Sequence, residues 1–221
     1  PTPTATATAV PPSASFVDTT SANFSAGTVG TCTISQIGDG EVMLSPAINT
    51  EFSGSTLPSG WGVTPWNANG SYSVSGGVIN INDSLLAYGA LPASYGPGRS
   101  LEFVATFRPS NSQHIGFGTD LNNAPWAIFS TGWPGGSVLI ARTMGAFASE
   151  TQLPAEALGV PHRFRIEWTS SAISYYVDGN LVATHTSGIP PSNMRPVASD
   201  STNPGPDALL TIDWLRMSPY T

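Results

Sequence analysis

An all-β fold, with two antiparallel sheets packed face to face as a sandwich, is what this sequence predicts, and three observations carry the prediction. Apolar and polar residues alternate with a period of two in segment after segment. Gly, Pro and Asn punctuate the chain at regular spacing, as turns between short strands do. Only 10% of the 221 residues are charged, against 23 Gly and 20 Pro, which leaves little for the charged outer faces of helices.

Residues 1–14, PTPTATATAVPPSA, are low in complexity. They read as an extended Thr/Pro tail or an O-glycosylated stalk, and the Pro-Thr-Pro-Thr start reads as a trimmed terminus. Residues 15–221 read as a single sandwich domain, since sandwiches of 200 to 250 residues fold as one unit. A short strand is expected over Glu41–Ser45. Tyr72–Val74 and Val78–Ile81 flank Gly76-Gly77 as a hairpin. Leu101, Phe103, Ala105 and Phe107 alternate with polar neighbours, and strands follow at Gln113–Gly118, Trp126–Phe129 and Ser137–Arg142. Phe164, Ile166 and Trp168 alternate with Arg163, Arg165 and Glu167. Ile173–Val177 leads through Asp178-Gly179, a strong hairpin signal, into Asn180–Thr186. Ala208–Met217 is the last strand. The one helical hint is a turn at Pro154–Leu158.

The charge balance excludes some partners. Seven Arg, no Lys and 14 acidic residues give a net charge of −7. Nucleic acid and anionic membrane surfaces both call for clustered basic residues, so neither is expected as a partner. No apolar run is long enough for membrane insertion as a helix. The single cysteine, Cys32, excludes an internal disulfide and reads as a small buried hydrophobe. With its Thr/Pro tail, the chain is expected to be a secreted or cell-surface glycoprotein.

Two segments carry a family likeness. His162–Val182, HRFRIEWTSSAISYYVDGNLV, resembles the H-x-Y-x-I-E-W…Y-V-D-G strand pair of laminarinase-like glycoside hydrolases. Leu210–Tyr220, LTIDWLRMSPY, resembles their terminal V-D-Y-V-R-V-Y strand. Glu51–Trp61, EFSGSTLPSGW, is similar to their entry segment, so that about a fifth of the chain is covered, in the expected order. The resemblance implies a jelly-roll sandwich of the concanavalin A-like lectin/glucanase superfamily. It also implies a structural calcium ion held by the positions that match here Glu51 and Asp213. One departure is decisive for the expected activity. The hydrolases carry paired carboxylates on a strand upstream of the H-x-Y-x-I-E-W strand. Between Phe103 and Arg165 this chain has only Asp120, Glu150 and Glu156, with no pair at strand spacing. Hydrolysis therefore does not carry over, and no catalytic residue is assigned.

What remains is a binding site. A sugar ring presents a flat C–H face that stacks on an aromatic ring, so tryptophans in loops beside polar groups are the candidates. Trp61 and Trp66 flank a predicted loop. Trp126 and Trp133 flank a strand and the turn Pro134-Gly135-Gly136. His114, Asp120 and Arg142 supply polar contacts beside Trp126, with Asn122 and Asn123 next to them. Trp168 and Trp214 sit in alternating strands and read as packing residues, as His162 and His185 do. The leading expectation is a non-catalytic carbohydrate-binding module whose partner is a polysaccharide or glycan. The competing ones are a structural subunit that self-assembles through residues 1–14, laid along a neighbour's sheet edge, and a divergent glycosidase or lyase working through His114, Asp120 and Arg142.

Overall fold

The computed structural model describes residues 19–28, 30–35, 40–132, 138–202 and 208–219. The tail 1–14, its assembly role and Trp133 therefore lie outside the described residues. The chain divides into two compact units at Ser45/Pro46, where the sequence reading had one domain starting at residue 15. In the first unit Thr20 caps a one-turn helix, α1 (Ser21–Ser25), by accepting the Asn23 amide at 3.2 Å. Strands β1 (Cys32–Ile34) and β2 (Val42–Leu44) pair with Cys32 opposite Leu44. Cys32 is free and half-buried, not buried as expected: this two-stranded ribbon has too few strands to enclose a core.

The second unit is the sandwich. In chain order its strands are β3 (Ile48–Thr50), β4 (Trp61–Pro65), β5 (Ser71–Ser75), β6 (Val78–Asn82), β7 (Ser84–Tyr88), β8 (Arg99–Thr106), β9 (Gln113–Gly118), β10 (Trp126–Thr131), β11 (Leu139–Met144), β12 (Ala148–Gln152), β13 (His162–Trp168), β14 (Ile173–Val177), β15 (Asn180–His185), β16 (Arg195–Asp200) and β17 (Leu210–Ser218). They form two antiparallel sheets. One has seven strands in the order β12-β11-β10-β9-β16-β7-β4. The other has eight, β15-β14-β13-β8-β17-β6-β5, with β3 also on β17. The helical hint before β13 is a 3₁₀ turn at Ala155–Ala157. This is the two-sheet jelly-roll sandwich that the sequence predicts.

Alternation builds the core. Leu101, Phe103, Ala105 and Phe107 point inward from the eight-stranded sheet, as do Phe164, Ile166, Trp168 and Tyr175, all at most 2% exposed. Ile115, Phe117, Ala127 and Phe129 meet them from the seven-stranded sheet. Phe129 lies 4.8 Å from Phe164 and 5.3 Å from Tyr175, and Phe117 lies 5.4 Å from Trp168, so the aromatic rings of the two layers interlock. Each such ring removes 150–250 Å² from water, roughly 4 to 6 kcal/mol gross at ~25 cal/mol per Å². Trp168 is the packing residue expected. Trp214 is buried differently. A bulge at Asp213 turns it to the outside of the eight-stranded sheet, where the Arg216 guanidinium covers it at 4.6 Å.

Candidate functional site

The strand registers fix which side chains share the outer face of the seven-stranded sheet. Across β12, β11, β10, β9 and β16 run three rows: Ala148, Met144, Trp126, Gly118 and Arg195; Glu150, Arg142, Ile128, Gly116 and Val197; Gln152, Ile140, Ser130, His114 and Ser199. Beyond β16 the rows continue through Ala87 and Leu85 of β7. Trp126, Arg142 and His114 thus come together on this face. With Leu121 and Ile128 they line a cavity of about 150 Å³, below the 300–1,000 Å³ of a drug-sized pocket and suited to one ring of a longer ligand.

Leu121 caps this face from the loop after β9. Its backbone has a φ of 61°, a left-handed conformation that a leucine holds only under constraint. The constraint is packing. Leu121 joins Trp66 against the apolar cluster Leu85, Ala87 and Val197. A Cβ added to Gly118 would meet Leu121 at 3.0 Å and Val197 at 3.1 Å, so Leu121 packs closely over the bare Gly118 backbone. The same loop is tied down twice more. Asp120 Oδ1 accepts the amides of Asn122 at 3.0 Å and Asn123 at 3.3 Å, and the Arg195 guanidinium donates to the carbonyls of Thr119 and Gly89. Asp120 therefore shapes the loop with one carboxylate oxygen.

His114 is neutral. Burial first, and then the Arg142 charge, push its pKa down from 6.5 to about 4. His114 Nδ1 and Ser130 Oγ share a hydrogen bond of 2.8 Å. Nε2 is left for a ligand hydroxyl, which can donate to it or accept from it according to the tautomer. Arg142 is held by Glu150, with Nε at 2.8 Å and Nη2 at 2.7 Å from the same oxygen. From the core side, Tyr175 donates to the Arg142 carbonyl at 2.7 Å and meets Thr143 Oγ1 at 2.7 Å, which in turn meets His185 Nδ1 at 2.8 Å. This network fixes β11 from beneath, and burial raises the Tyr175 pKa far above its usual value.

The other predicted tryptophans divide. Trp61 is not in a loop. It opens β4, is 8% exposed, packs at 6.0 Å from Phe52 and 5.4 Å from Tyr88, and donates Nε1 to Thr50 Oγ1 at 2.9 Å. Its ring belongs to the core, because the EFSGSTLPSGW segment folds its two aromatic ends onto each other. Trp66 stays half-buried on the outer face and donates Nε1 to Ser199 Oγ at 2.8 Å. It flanks Leu121 on the side away from Trp126. The sequence reading missed Leu121, Ile128, Ser130, Glu150 and Ser199. Trp126, Ile128 and Ser130 could have been found together, because they alternate along WAIFST. Leu121 lies in an irregular loop and gives no periodic signal.

Glu51 and Asp213 are also in electrostatic contact. Burial, and then the Glu51 charge, raise the Asp213 pKa, and Glu51 Oε1 accepts from Arg216 Nη2 at 3.3 Å. Two carboxylates in mutual repulsion are a fitting start for a hard cation. No third acidic, His or Cys side chain joins them among the described residues, so further ligands would be backbone carbonyls or water. None of the helices among the described residues is long and apolar enough to cross a membrane.

Comparison with known proteins gives fold without sequence kinship. No family model matches the chain, and no curated protein matches it in sequence. Solved structures do match. A β-glucanase of Bacillus licheniformis superposes with a TM-score of 0.59 at 15% identity, over 79% of this chain and 98% of that one. An endo-β-1,3-glucanase of Pyrococcus furiosus gives 0.55 at 15% identity over 78% and 93%. A β-1,3-glucanase of Mycobacterium marinum gives 0.54 at 14% over 78% and 98%. The architecture is a two-sheet jelly roll, the fold these glucanases share.

Proposed function

We propose that this chain is a secreted or cell-surface, non-catalytic module that binds a neutral polysaccharide across the outer face of its seven-stranded sheet. One observation carries the reading: an indole, a neutral imidazole and apolar Leu121 and Ile128 converge on one small cavity. A sugar ring needs that combination, a flat apolar platform with hydroxyl partners at its edge. The glucanase fold of the neighbours makes a β-glucan the first ligand to try.

The absence of a carboxylate pair supports binding without hydrolysis. Glycoside cleavage uses two carboxyls about 5 to 9.5 Å apart. On the described strands of this face Glu150 is the one carboxylate, and it is engaged by Arg142. Asp120 follows β9, three strands from Glu150, roughly 14 Å at ~4.8 Å per strand. The structural calcium between Glu51 and Asp213 belongs to the same reading. There the ion would neutralise two like charges, with chelation expected to lower the melting temperature and calcium to restore it.

A glycan array with the full chain, followed by a reducing-end assay on every ligand found, tests the proposal. Binding to β-glucan without release of reducing ends is expected. Release that disappears in Glu150→Gln or Asp120→Asn would replace the binding module with an enzyme. Association into a defined oligomer that is lost on deleting residues 1–14, with no glycan bound, would favour the structural subunit.

A further inference from the structure

The turn between β4 and β5 carries a reactive junction that the glycan reading does not use. Of the asparagines in the chain, Asn69 alone is followed by glycine. It lies in the turn 66–70, where Asn67, Ala68 and Asn69 are all exposed. Two bonds close the turn. Gly70 N donates to the Asn67 carbonyl at 3.1 Å, and the Asn69 amide donates to Asn67 Oδ1 at 2.9 Å. The Asn69 side chain itself has no hydrogen-bond partner among the described residues. The fold dictates the glycine. A Cβ at position 70 would lie 2.3 Å from the Asp83 carbonyl oxygen and 2.7 Å from Pro65 Cβ, so bare backbone is all that fits.

An asparagine Cγ and the next main-chain nitrogen close a five-membered ring when they bond, so covalent connectivity alone keeps the reacting atoms within reach. The side chain of the following residue normally hinders that closure, and Gly70 has none. We propose that Asn69 is a self-modifying site, which loses its side-chain nitrogen as ammonia through attack by Gly70 N. Gly70 N gives up its proton and bonds to Asn69 Cγ. The Cγ–Nδ2 bond breaks, and Nδ2 takes up a proton and departs as ammonia. The succinimide that remains then adds water. Water entering at Cγ gives aspartate. Water entering at the main-chain carbonyl carbon gives isoaspartate, whose chain runs through Cβ.

Its nearest rivals are disfavoured. Asn67 shares the turn, but Ala68 follows it and the Asn69 amide occupies its Oδ1. Asp178 also precedes a glycine. There Oδ1 accepts the Arg163 amide at 3.0 Å and Oδ2 meets His162 Nδ1 at 2.7 Å, and a carboxylate is a poorer acyl acceptor than an amide. At Asn69 the product changes its surroundings. The imide nitrogen carries no proton, so the Gly70 bond to Asn67 is lost. Isoaspartate adds one carbon to a turn fixed at both ends, where Trp66 N donates to the Asp83 carbonyl at 2.9 Å and Gly70 lies against the same oxygen. The modification therefore shifts Trp66, whose indole donates to Ser199 Oγ at 2.8 Å. Its effect on a ligand rests on the glycan reading; the chemistry does not.

The test ages the full chain in mildly alkaline buffer, warm but below its melting temperature. Peptide mass mapping follows each asparagine, and an isoaspartyl methyltransferase counts isoaspartate. Asn69 should convert severalfold faster than every other asparagine, and faster as pH rises, because the deprotonated nitrogen attacks. Asn69→Gln, which would have to close a six-membered ring, should stay unmodified. In an isotope-labelled sample the Trp66 amide and indole signals should move in step with the conversion, and should stay fixed in aged Asn69→Gln. None of these readouts uses a glycan, so a chain that binds no β-glucan leaves the proposal standing. It is overturned if the folded chain keeps Asn69 intact for as long as a urea-unfolded control takes to lose it, if another asparagine converts first, or if the Trp66 signals stay fixed while Asn69 converts.

Discussion

The two outer faces of the sandwich are built on opposite chemistry. The eight-stranded sheet carries a ladder of charges, with Arg163 2.7 Å from Glu102 and Arg165 3.0 Å from Glu167, and Arg165 stacked 4.0 Å over Tyr176. The seven-stranded sheet carries Trp126, Ile128, Val197, Leu85 and Ala87, with His114 neutral among them. The larger hollow, about 420 Å³, lies on the charged face. Size is a poor guide here. The charged groups already satisfy one another, and a guanidinium covers the face of Tyr176. On the other sheet the same kind of surface offers an indole platform and a neutral imidazole, and a polar, uncharged ligand gains more there.

Substitutions can break or sharpen this contrast. The largest effect belongs to a core tryptophan. Trp61→Ala should cost about 3 to 5 kcal/mol of stability, read as a Tm fall in a thermal melt. A melt unchanged by Trp61→Ala would return that residue to the surface. Next comes Trp126→Ala, which should weaken glycan binding by about 1 to 3 kcal/mol, on the scale of other ring-stacking contacts, and hardly move Tm. A large Tm fall with affinity intact would make Trp126 a packing residue.

Acid should act through the same face. The folded His114 pKa of about 4 lies below its unfolded value of 6.5. The unfolded chain therefore takes the proton first, and stability falls as pH drops from 6.5 to 4, by at most about 3.5 kcal/mol at ~1.4 kcal/mol per unit. His185 is shifted in the same direction by burial. Denaturant titrations at pH 7 and pH 4.5 should show a gap that narrows, without closing, in His114→Gln. The smallest effect is expected on the charged face. There Arg163→Ala should change stability by about 1 kcal/mol or less, because the Arg163–Glu102 pair is solvent-exposed, and should leave glycan affinity alone.

Where burial is one-sided, the sequence was legible. Phe164, Ile166 and Trp168 in His162–Trp168, and Ile173 and Tyr175 in Ile173–Val177, are buried in the alternation the sequence shows. Two strands buried on both faces were missed. Ser84–Tyr88 has Ser84, Leu85, Leu86 and Ala87 buried in succession, and Arg195–Asp200 is buried throughout, so neither shows a period of two. Ala148–Gln152 was missed for the opposite reason, being polar along an edge. The candidate site was half legible. Trp61 and Trp126 sit in similar Gly/Pro/Asn-rich surroundings, and only the pairing of strands decides that one faces Phe52 while the other faces out.

The measurement that tests the account most directly is a chemical-shift map of the isotope-labelled chain titrated with a soluble β-glucan oligosaccharide. The account predicts shifts gathered on Trp126, Ile128, His114, Leu121 and the Trp66 indole, quiet resonances at Arg163, Arg165 and Tyr176, and an oligosaccharide that remains intact in the tube. Shifts centred on the Arg165–Tyr176 face, or an oligosaccharide that is cut during the titration, would contradict it.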